Sequence, residues 1–227
     1  MGSVNEQRSG PNLQRKLIGW WALVGTLSVL AFGASASSSE PVQDALYRYE
    51  TAILGLFFYA VILGVILLIA SGLNRRETFA LRRPTSWRRA IWISLGLLVV
   101  LLVVAAALEP IFGAGKEQGL DPTGWDSSRA APFVLNFILT AMVAPIVEEL
   151  MFRGLGFFLL EQFGQVAAIL VTAIAFSLTH GIVEGIPVFF IIGAGLALMR
   201  SRTKSIYPPI LMHAGFNGIG VIGGLFN

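Results

Sequence analysis

Long apolar runs separated by short charged loops constrain this chain more than any other feature of its sequence. A membrane-spanning helix needs about 20 mostly apolar residues. We read helices at residues 17–34, 50–72, 89–108, 131–160, 165–182, 186–200 and 206–226. The chain is 55% hydrophobic and 13% charged, with a mean hydropathy of +0.74, which is too apolar for an ordinary soluble domain. The sequence therefore predicts an all-α polytopic membrane helix bundle with about seven transmembrane helices.

The charges in the loops predict the orientation of the chain. Basic residues are concentrated in three segments, which the positive-inside rule places on the cytoplasmic side of the membrane. The N-terminal tail holds Arg8, Arg15 and Lys16; the loop at 73–89 holds Arg75, Arg76, Arg82, Arg83, Arg88 and Arg89; and the turn after residue 199 holds Arg200, Arg202 and Lys204. The loops at 35–49 and 109–130 are mixed or acidic, with Glu40, Asp44, Glu109, Glu117, Asp121 and Asp126. Seven crossings with a cytoplasmic N-terminus and an external C-terminus satisfy every loop.

The first helix has a second interpretation as a cleavable signal peptide. Arg15 and Lys16, an apolar stretch and then Ala34-Ser35-Ala36 resemble such a segment. An uncleaved anchor is favoured because the tryptophans at 20 and 21 and the length suit a span.

The two parts of the chain differ in composition. Residues 1–130 are expected to form membrane anchor helices, and residues 131–227 a catalytic bundle rich in glycine, which lets membrane helices approach closely. In the long segment 131–160, Pro145 removes a backbone donor and frees the carbonyl of Ala141. We expect a kink just before Glu148.

A pair of adjacent glutamates is the first group with chemical potential. Neighbours on a helix point in different directions, so Glu148 and Glu149 cannot share a face. Glu149 and Arg153 are four residues apart and can form an ion pair. That pairing leaves Glu148 free to act as a base, although a charge cluster at a helix end is the simpler alternative.

Both histidines lie in apolar segments, each with a partner one helical turn away. His180 follows Phe176 by four residues, and His213 precedes Asn217 by four. A single histidine in such a place is most often a hydrogen-bonded interhelical residue, but ionisable groups inside membranes are costly and commonly functional. A neutral imidazole and a carboxamide can both donate hydrogen bonds to a developing oxyanion.

These three pieces, in this order, resemble the signature of the CPBP family of membrane proteases, which includes the type II CAAX prenyl endopeptidases and bacterial abortive-infection relatives. The matching stretches are Glu148-Glu149-Leu-Met-Phe-Arg153-Gly154, Phe176-x-x-x-His180 and Met212-His213-Ala-Gly-Phe-Asn217. They cover about residues 131–226, and the N-terminal helices carry no recognisable signature.

The resemblance implies an intramembrane endopeptidase without an obligatory metal. At the matching motif positions, the resemblance implies that Glu148 and His180 activate a water and that His213 and Asn217 bind the carbonyl oxygen. It also implies that Glu149 and Arg153 orient the site and balance its charge. Phe152 and Phe176, which lie inside the motifs, are the candidate substrate-binding residues.

The expected partners are the lipid bilayer and a peptide or membrane-protein substrate that can carry a lipid group, with no nucleic acid. No cofactor is expected, and the expected location is a prokaryotic plasma membrane.

Three other functions stay open at this stage. Two histidines and a carboxylate could hold zinc, although no His-Glu-x-x-His motif is present. A non-catalytic immunity or scaffold protein would bind a membrane peptide without cleaving it. A transporter with a proton relay is disfavoured by the lack of repeat symmetry.

Overall fold

A computed structural model describes residues 11–37, 44–112 and 124–226, and within these ranges every regular element is helical. The helices are α1 Pro11–Ser37, α2 Tyr49–Ile69, α3 Arg75–Thr78, α4 Trp87–Phe112, α5 Ser127–Phe163, α6 Gln165–Leu178, α7 Ile186–Thr203 and α8 Tyr207–Gly224. The predicted all-α helical bundle is confirmed.

The helices differ in how well they suit a membrane span. Among the described residues, five are long and apolar enough to cross a bilayer, namely α1, α2, α4, α5 and α7. The helix α6 has only 14 residues, while α8 interrupts its apolar sequence with glycines and polar side chains. Apart from the short α3, seven helices thus occupy the seven predicted segments, and α6 and α8 lack the features of an ordinary span. The predictions that used Arg8, Glu40, Glu117 and Asp121 lie outside the described residues.

The helix α5 is continuous but changes register twice through π-helical turns. The first turn covers Leu139–Val143, where the Ala144 N–H donates to the Leu139 carbonyl five residues back. In that register the donor for the Thr140 carbonyl would be residue 145, and Pro145 has no N–H. Pro145 therefore leaves the Thr140 carbonyl without its donor in the π-helical register. The free carbonyl of Ala141 that the sequence predicted stays a prediction.

The second π-helical turn covers Leu150–Gly156, and side chains from other helices bind its carbonyls. The indole Nε1 of Trp20, on α1, donates to the Met151 carbonyl at 3.0 Å. Arg200, on α7, donates from Nε to the Arg153 carbonyl at 3.2 Å. Π-helical turns inside α-helices are frequent at functional sites, and here side chains from two neighbouring helices bind the carbonyls of the turn.

Small residues allow the surrounding helices to approach α5 and each other. A Cβ at Gly156 would lie 2.5 Å from a ring carbon of Trp20, so only glycine lets α1 pack here. A Cβ at Gly193 of α7 would lie 3.1 Å from the Cα of Ala173 on α6. The first helix is therefore part of the core, where Trp20 is fully buried.

The entry to α5 is held by charged side chains outside the apolar segments. Arg129 pairs with Asp126 at 2.6 Å and with Asp44 at 3.0 Å. Hydrogen bonds from Ser128 and then from Arg129 lower the pKa of Asp126 to about 2.

Candidate active site

The centre of the site is a buried ion pair within α5. Arg153 donates from Nη1 to the Glu149 Oε1 at 3.1 Å, and both side chains are fully buried. The i,i+4 pairing expected from the sequence is therefore present. Arg153 also donates from Nη2 to the Gly193 carbonyl at 2.7 Å, and its guanidinium lies 4.6 Å from the centre of the Phe176 ring. Glu149 thus neutralises a cation that is locked between three helices.

His213, on α8, contacts both glutamates through different ring nitrogens. Its Nδ1 lies 3.0 Å from Glu149 Oε1, and its Nε2 lies 3.8 Å from Glu148 Oε2. An ionised carboxylate can only accept, so Nδ1 carries the proton that is donated to Glu149. This carboxylate–imidazole pair fixes the ring orientation, which leaves Nε2 directed towards Glu148.

Glu148 is the accessible carboxylate of the pair. Its side chain is 20% exposed, whereas that of Glu149 is 0% exposed. The hydroxyl of Tyr59, on α2, donates to Glu148 Oε1 at 2.8 Å. One oxygen is held by Tyr59, and the other lies beside His213.

Sequence reasoning missed Tyr59. It lies in residues 1–130, the part of the chain assigned to anchoring, within an apolar helix that carries no motif. The available signal was a tyrosine hydroxyl in the middle of a membrane helix, a group that needs a hydrogen-bond partner when buried.

His180 approaches the site from the C-terminal end of α6. Its Nδ1 lies 2.8 Å from the Phe176 carbonyl, which can only accept, so the unprotonated nitrogen of the neutral ring is Nε2. The ring stacks on Phe189 at 4.1 Å between centroids, and Phe176 lies 4.6 Å away. Within the described residues, no hydrogen bond or ion pair joins His180 to Glu148. Their joint action on a water stays a prediction.

Asn217 lies one helical turn beyond His213 on α8. Its Nδ2 donates to the Thr140 carbonyl at 3.1 Å, the carbonyl left free by the π-turn and Pro145. This contact uses one of the two amide hydrogens and leaves the second for another acceptor. Asn217 therefore connects α8 to α5 and retains a donor.

The two candidate substrate-binding rings are buried. Phe152 and Phe176 are each 1% exposed and meet edge to face at 5.4 Å between centroids. Phe176 also lies 5.6 Å from the His213 ring. They pack around Arg153 and the histidines, and their role in substrate binding stays a prediction.

The arrangement brings the six predicted catalytic residues and the two phenylalanines into one connected region. Contacts link Glu148, Glu149, Arg153 and His213 directly, while Phe176 connects His180 to this group and Thr140 connects Asn217 to α5. In the described part of the chain, no group of three or more His, Asp or Glu side chains is arranged to hold a metal ion. The region holds an accessible carboxylate, two imidazoles and a carboxamide, which are the groups that water activation and oxyanion binding require.

Comparison with known proteins agrees with this chemistry. Residues 130–219 match the family described as type II CAAX prenyl endopeptidase Rce1-like, and this range holds every residue of the region except Tyr59. The membrane-embedded CAAX protease MroQ of Staphylococcus aureus is 30% identical over 146 residues, which cover 60% of this chain and 58% of MroQ. Over these residues the chain is similar to a family of membrane CAAX proteases.

A second relative extends the similarity to the N-terminal helices of the chain. YdiL of Bacillus subtilis, a candidate membrane peptidase, is 23% identical over 217 residues, which cover 89% of this chain and 88% of YdiL. No solved structure gives a significant match.

Proposed function

We propose that this protein is an intramembrane endopeptidase of the glutamate type, in which Glu148 is the general base. The observation that carries the proposal is the difference between the two glutamates. Glu149 is fully buried and shared by Arg153 and His213, so it has no freedom to accept a proton from water. Glu148 is 20% exposed, and Tyr59 holds its Oε1 but not the Oε2 that faces His213.

The reaction is hydrolysis of a peptide bond. Glu148 takes a proton from a water, the water oxygen bonds to the carbonyl carbon, and His180 Nε2 holds the water as a second acceptor. The second amide hydrogen of Asn217 donates to the oxyanion that develops. His213 joins it as a donor when both of its ring nitrogens carry protons, with Glu149 accepting from Nδ1. The carbon–nitrogen bond then breaks, and the proton held by Glu148 passes to the leaving amine.

Tyr59 has a positioning role in this scheme. Its hydroxyl holds Glu148 Oε1 at 2.8 Å and so leaves Oε2 as the reactive oxygen. Hydrogen bonds to charged groups are worth about 1.5–3 kcal/mol, which is enough to fix one carboxylate orientation.

We propose that the substrate is a membrane-associated peptide segment. The reacting groups lie on helices of the bundle, so a substrate reaches them from the lipid or from its surface. The match to a CAAX endopeptidase family supports cleavage near a lipidated C-terminus as the first substrate class to examine.

The decisive experiment uses purified protein in lipid nanodiscs with paired peptides that do and do not carry a prenyl group. Glu148→Gln keeps the shape of the side chain and removes the base, so cleavage should fall by ~10²–10⁴-fold. Glu50→Gln is the matched control, because Glu50 is exposed in the first turn of α2. Full cleavage by a folded Glu148→Gln protein would rule out the mechanism.

A non-catalytic role gives a different result in cells. If a phenotype that depends on the protein survives Glu148→Gln, and no membrane protein shows a shortened C-terminus, the protein acts as a scaffold. Comparison of membrane proteomes from the two strains measures this directly.

We propose a cytoplasmic N-terminus on the basis of the arginine-rich loop at residues 73–89. The chain has no cysteine, so single cysteines can be labelled without background. Ser127→Cys should react with an impermeant reagent added outside intact cells, and Thr85→Cys should react only after lysis. The reverse pattern would invert the topology.

A further inference from the structure

A basic pocket lies at the end of the bundle where α2 ends and α4 and α8 begin. Its volume is about 730 Å³, within the range of small-molecule sites. The lining residues come from the loop after α2 and from the first turns of α4 and α8, and they are Arg76, Leu81, Arg82, Arg83, Trp87, Tyr207, Ile210 and Leu211. No carboxylate is among them.

The three arginines of the basic pocket are not neutralised by neighbours. Within the described residues, Arg76 and Arg83 have no side-chain hydrogen bond or ion pair, and Arg82 donates only from Nε to the Lys204 carbonyl at 2.7 Å. Three guanidinium groups around one cavity repel each other unless an anion lies between them. The pocket is therefore suited to a phosphate, which arginine binds with paired hydrogen bonds.

The wall of the pocket is preformed. The Ile206 N–H donates to the Ala80 carbonyl at 3.2 Å, and Ala80 is completely buried with a left-handed φ of 48°. Phe79 lies under the same loop against Gly154 of α5. The loop that carries Arg82 and Arg83 is thus docked on the bundle rather than extended into solvent.

The other lining residues indicate a lipid rather than a soluble ligand. Trp87 and Tyr207 are 42% and 38% exposed at the starts of α4 and α8, and such aromatic residues mark the level of the lipid headgroups. Leu81 and Leu211 are exposed apolar side chains beside the arginines, where acyl chains would lie.

We propose that the basic pocket binds the phosphate of an anionic phospholipid, with the acyl chains against Leu211 and its neighbours. Basic pockets between membrane helices recognise headgroups by this chemistry. The site is separate from the catalytic groups, and the proposal does not depend on the proposed function. Bound lipid would hold the start of α8 from Tyr207 to Leu211, which ends two residues before His213.

The test measures the thermal stability and lipid affinity of the purified full-length protein in neutral detergent. The probe is phosphatidylglycerol, compared with phosphatidylcholine of the same acyl chains and with inorganic phosphate. The pocket variant is Arg76→Gln with Arg83→Gln, since neither side chain makes a hydrogen bond or ion pair with the described residues. The control is Arg88→Gln with Arg89→Gln, which removes the same charge from exposed residues in the first turn of α4.

We expect phosphatidylglycerol alone to raise the melting temperature of the wild-type protein. Loss of two charge-assisted contacts should weaken its binding at least about tenfold in the pocket variant. The control should lose only a few-fold, from general surface attraction.

Equal losses in the two double variants would overturn the proposal, because binding would then be general electrostatic attraction. An equal response to phosphatidylcholine would also overturn it, as would an equal response to inorganic phosphate. Displacement of bound phosphatidylglycerol by an acidic peptide at equal concentration would assign the pocket to a protein partner instead.

Discussion

Replacing Arg153 with methionine tests whether the buried ion pair holds the site together. The change removes the cation from a fully buried position and leaves Glu149 ionised among apolar side chains, with only His213 beside it. Removal of one partner from a buried pair costs about 3–5 kcal/mol. That is a large share of the roughly 5–15 kcal/mol by which proteins are stable.

The double variant Glu149→Gln with Arg153→Met separates charge from packing. It leaves no unpaired charge, and the glutamine oxygen can still accept from His213 Nδ1. The remaining cost is about two lost hydrogen bonds, those of Arg153 to residue 149 and to the Gly193 carbonyl, at roughly 0.5–1.5 kcal/mol each. We therefore expect the double variant to be more stable than Arg153→Met alone, although catalytically weak because a neutral amide supports the histidine poorly.

The assay is equilibrium unfolding in mixed micelles by titration with sodium dodecyl sulfate, followed by tryptophan fluorescence. Arg202→Met, an exposed arginine on α7, is the control and should change stability by less than about 0.5 kcal/mol. The reasoning fails if the double variant is as unstable as Arg153→Met, since the loss would then come from packing and not from a stranded carboxylate.

Three further predictions concern the reaction and one concerns the loop before α5. Tyr59→Phe should lower kcat about tenfold or more with little change in KM, because a charge-assisted hydrogen bond to Glu148 is lost and substrate contacts are not; an unchanged kcat would remove Tyr59 from the mechanism. Asn217→Ala should lower kcat by ~10²–10³-fold while a non-cleavable peptide still binds, and loss of peptide binding would contradict an oxyanion role. A zinc chelator should leave cleavage of the best peptide intact, and inhibition reversed by added zinc would favour the metalloprotease alternative. The pKa of Asp126 is lowered to about 2 in the folded protein, against about 4 in the unfolded chain. Its contacts with Ser128 and Arg129 therefore stabilise the fold fully above pH 4, and this stabilisation is lost as the pH falls towards 2. Asp126→Asn should abolish this acid sensitivity, which hydrogen exchange of residues 127–130 would measure.

The sequence was sufficient to predict contacts between residues of the same helix. Spacing alone predicted the Glu149–Arg153 pair, because residues four apart share a helix face. It also placed His213 and Asn217 on one face of α8. Apolar length predicted the helix positions, since the bilayer fixes how long a span must be.

Contacts between helices were not predictable in the same way. The hydroxyl of Tyr59 reaches Glu148 across 89 residues of chain, and an apolar helix with one tyrosine carries no local sign of this. The second π-helical turn of α5 has distant donors, Trp20 and Arg200, so Pro145 alone indicated a disturbance in α5 but did not predict this turn. The division into anchor and catalytic parts followed from the positions of the sequence motifs. Tyr59 and Trp20 lie outside these motifs, so the motifs could not predict their contacts with α5.

The pattern of partners around α5 also has a consequence for biosynthesis. Three charges in one helix, on Glu148, Glu149 and Arg153, cost roughly 8–10 kcal/mol to transfer from the translocon to lipid if each is unpaired. Glu149 and Arg153 neutralise each other within α5. Tyr59 binds Glu148 and Trp20 binds the Met151 carbonyl, and both belong to helices that leave the ribosome before α5. We therefore expect α5 to enter the bilayer against α1 and α2, and a chain arrested before α8 to be membrane-inserted yet inert until His213 emerges.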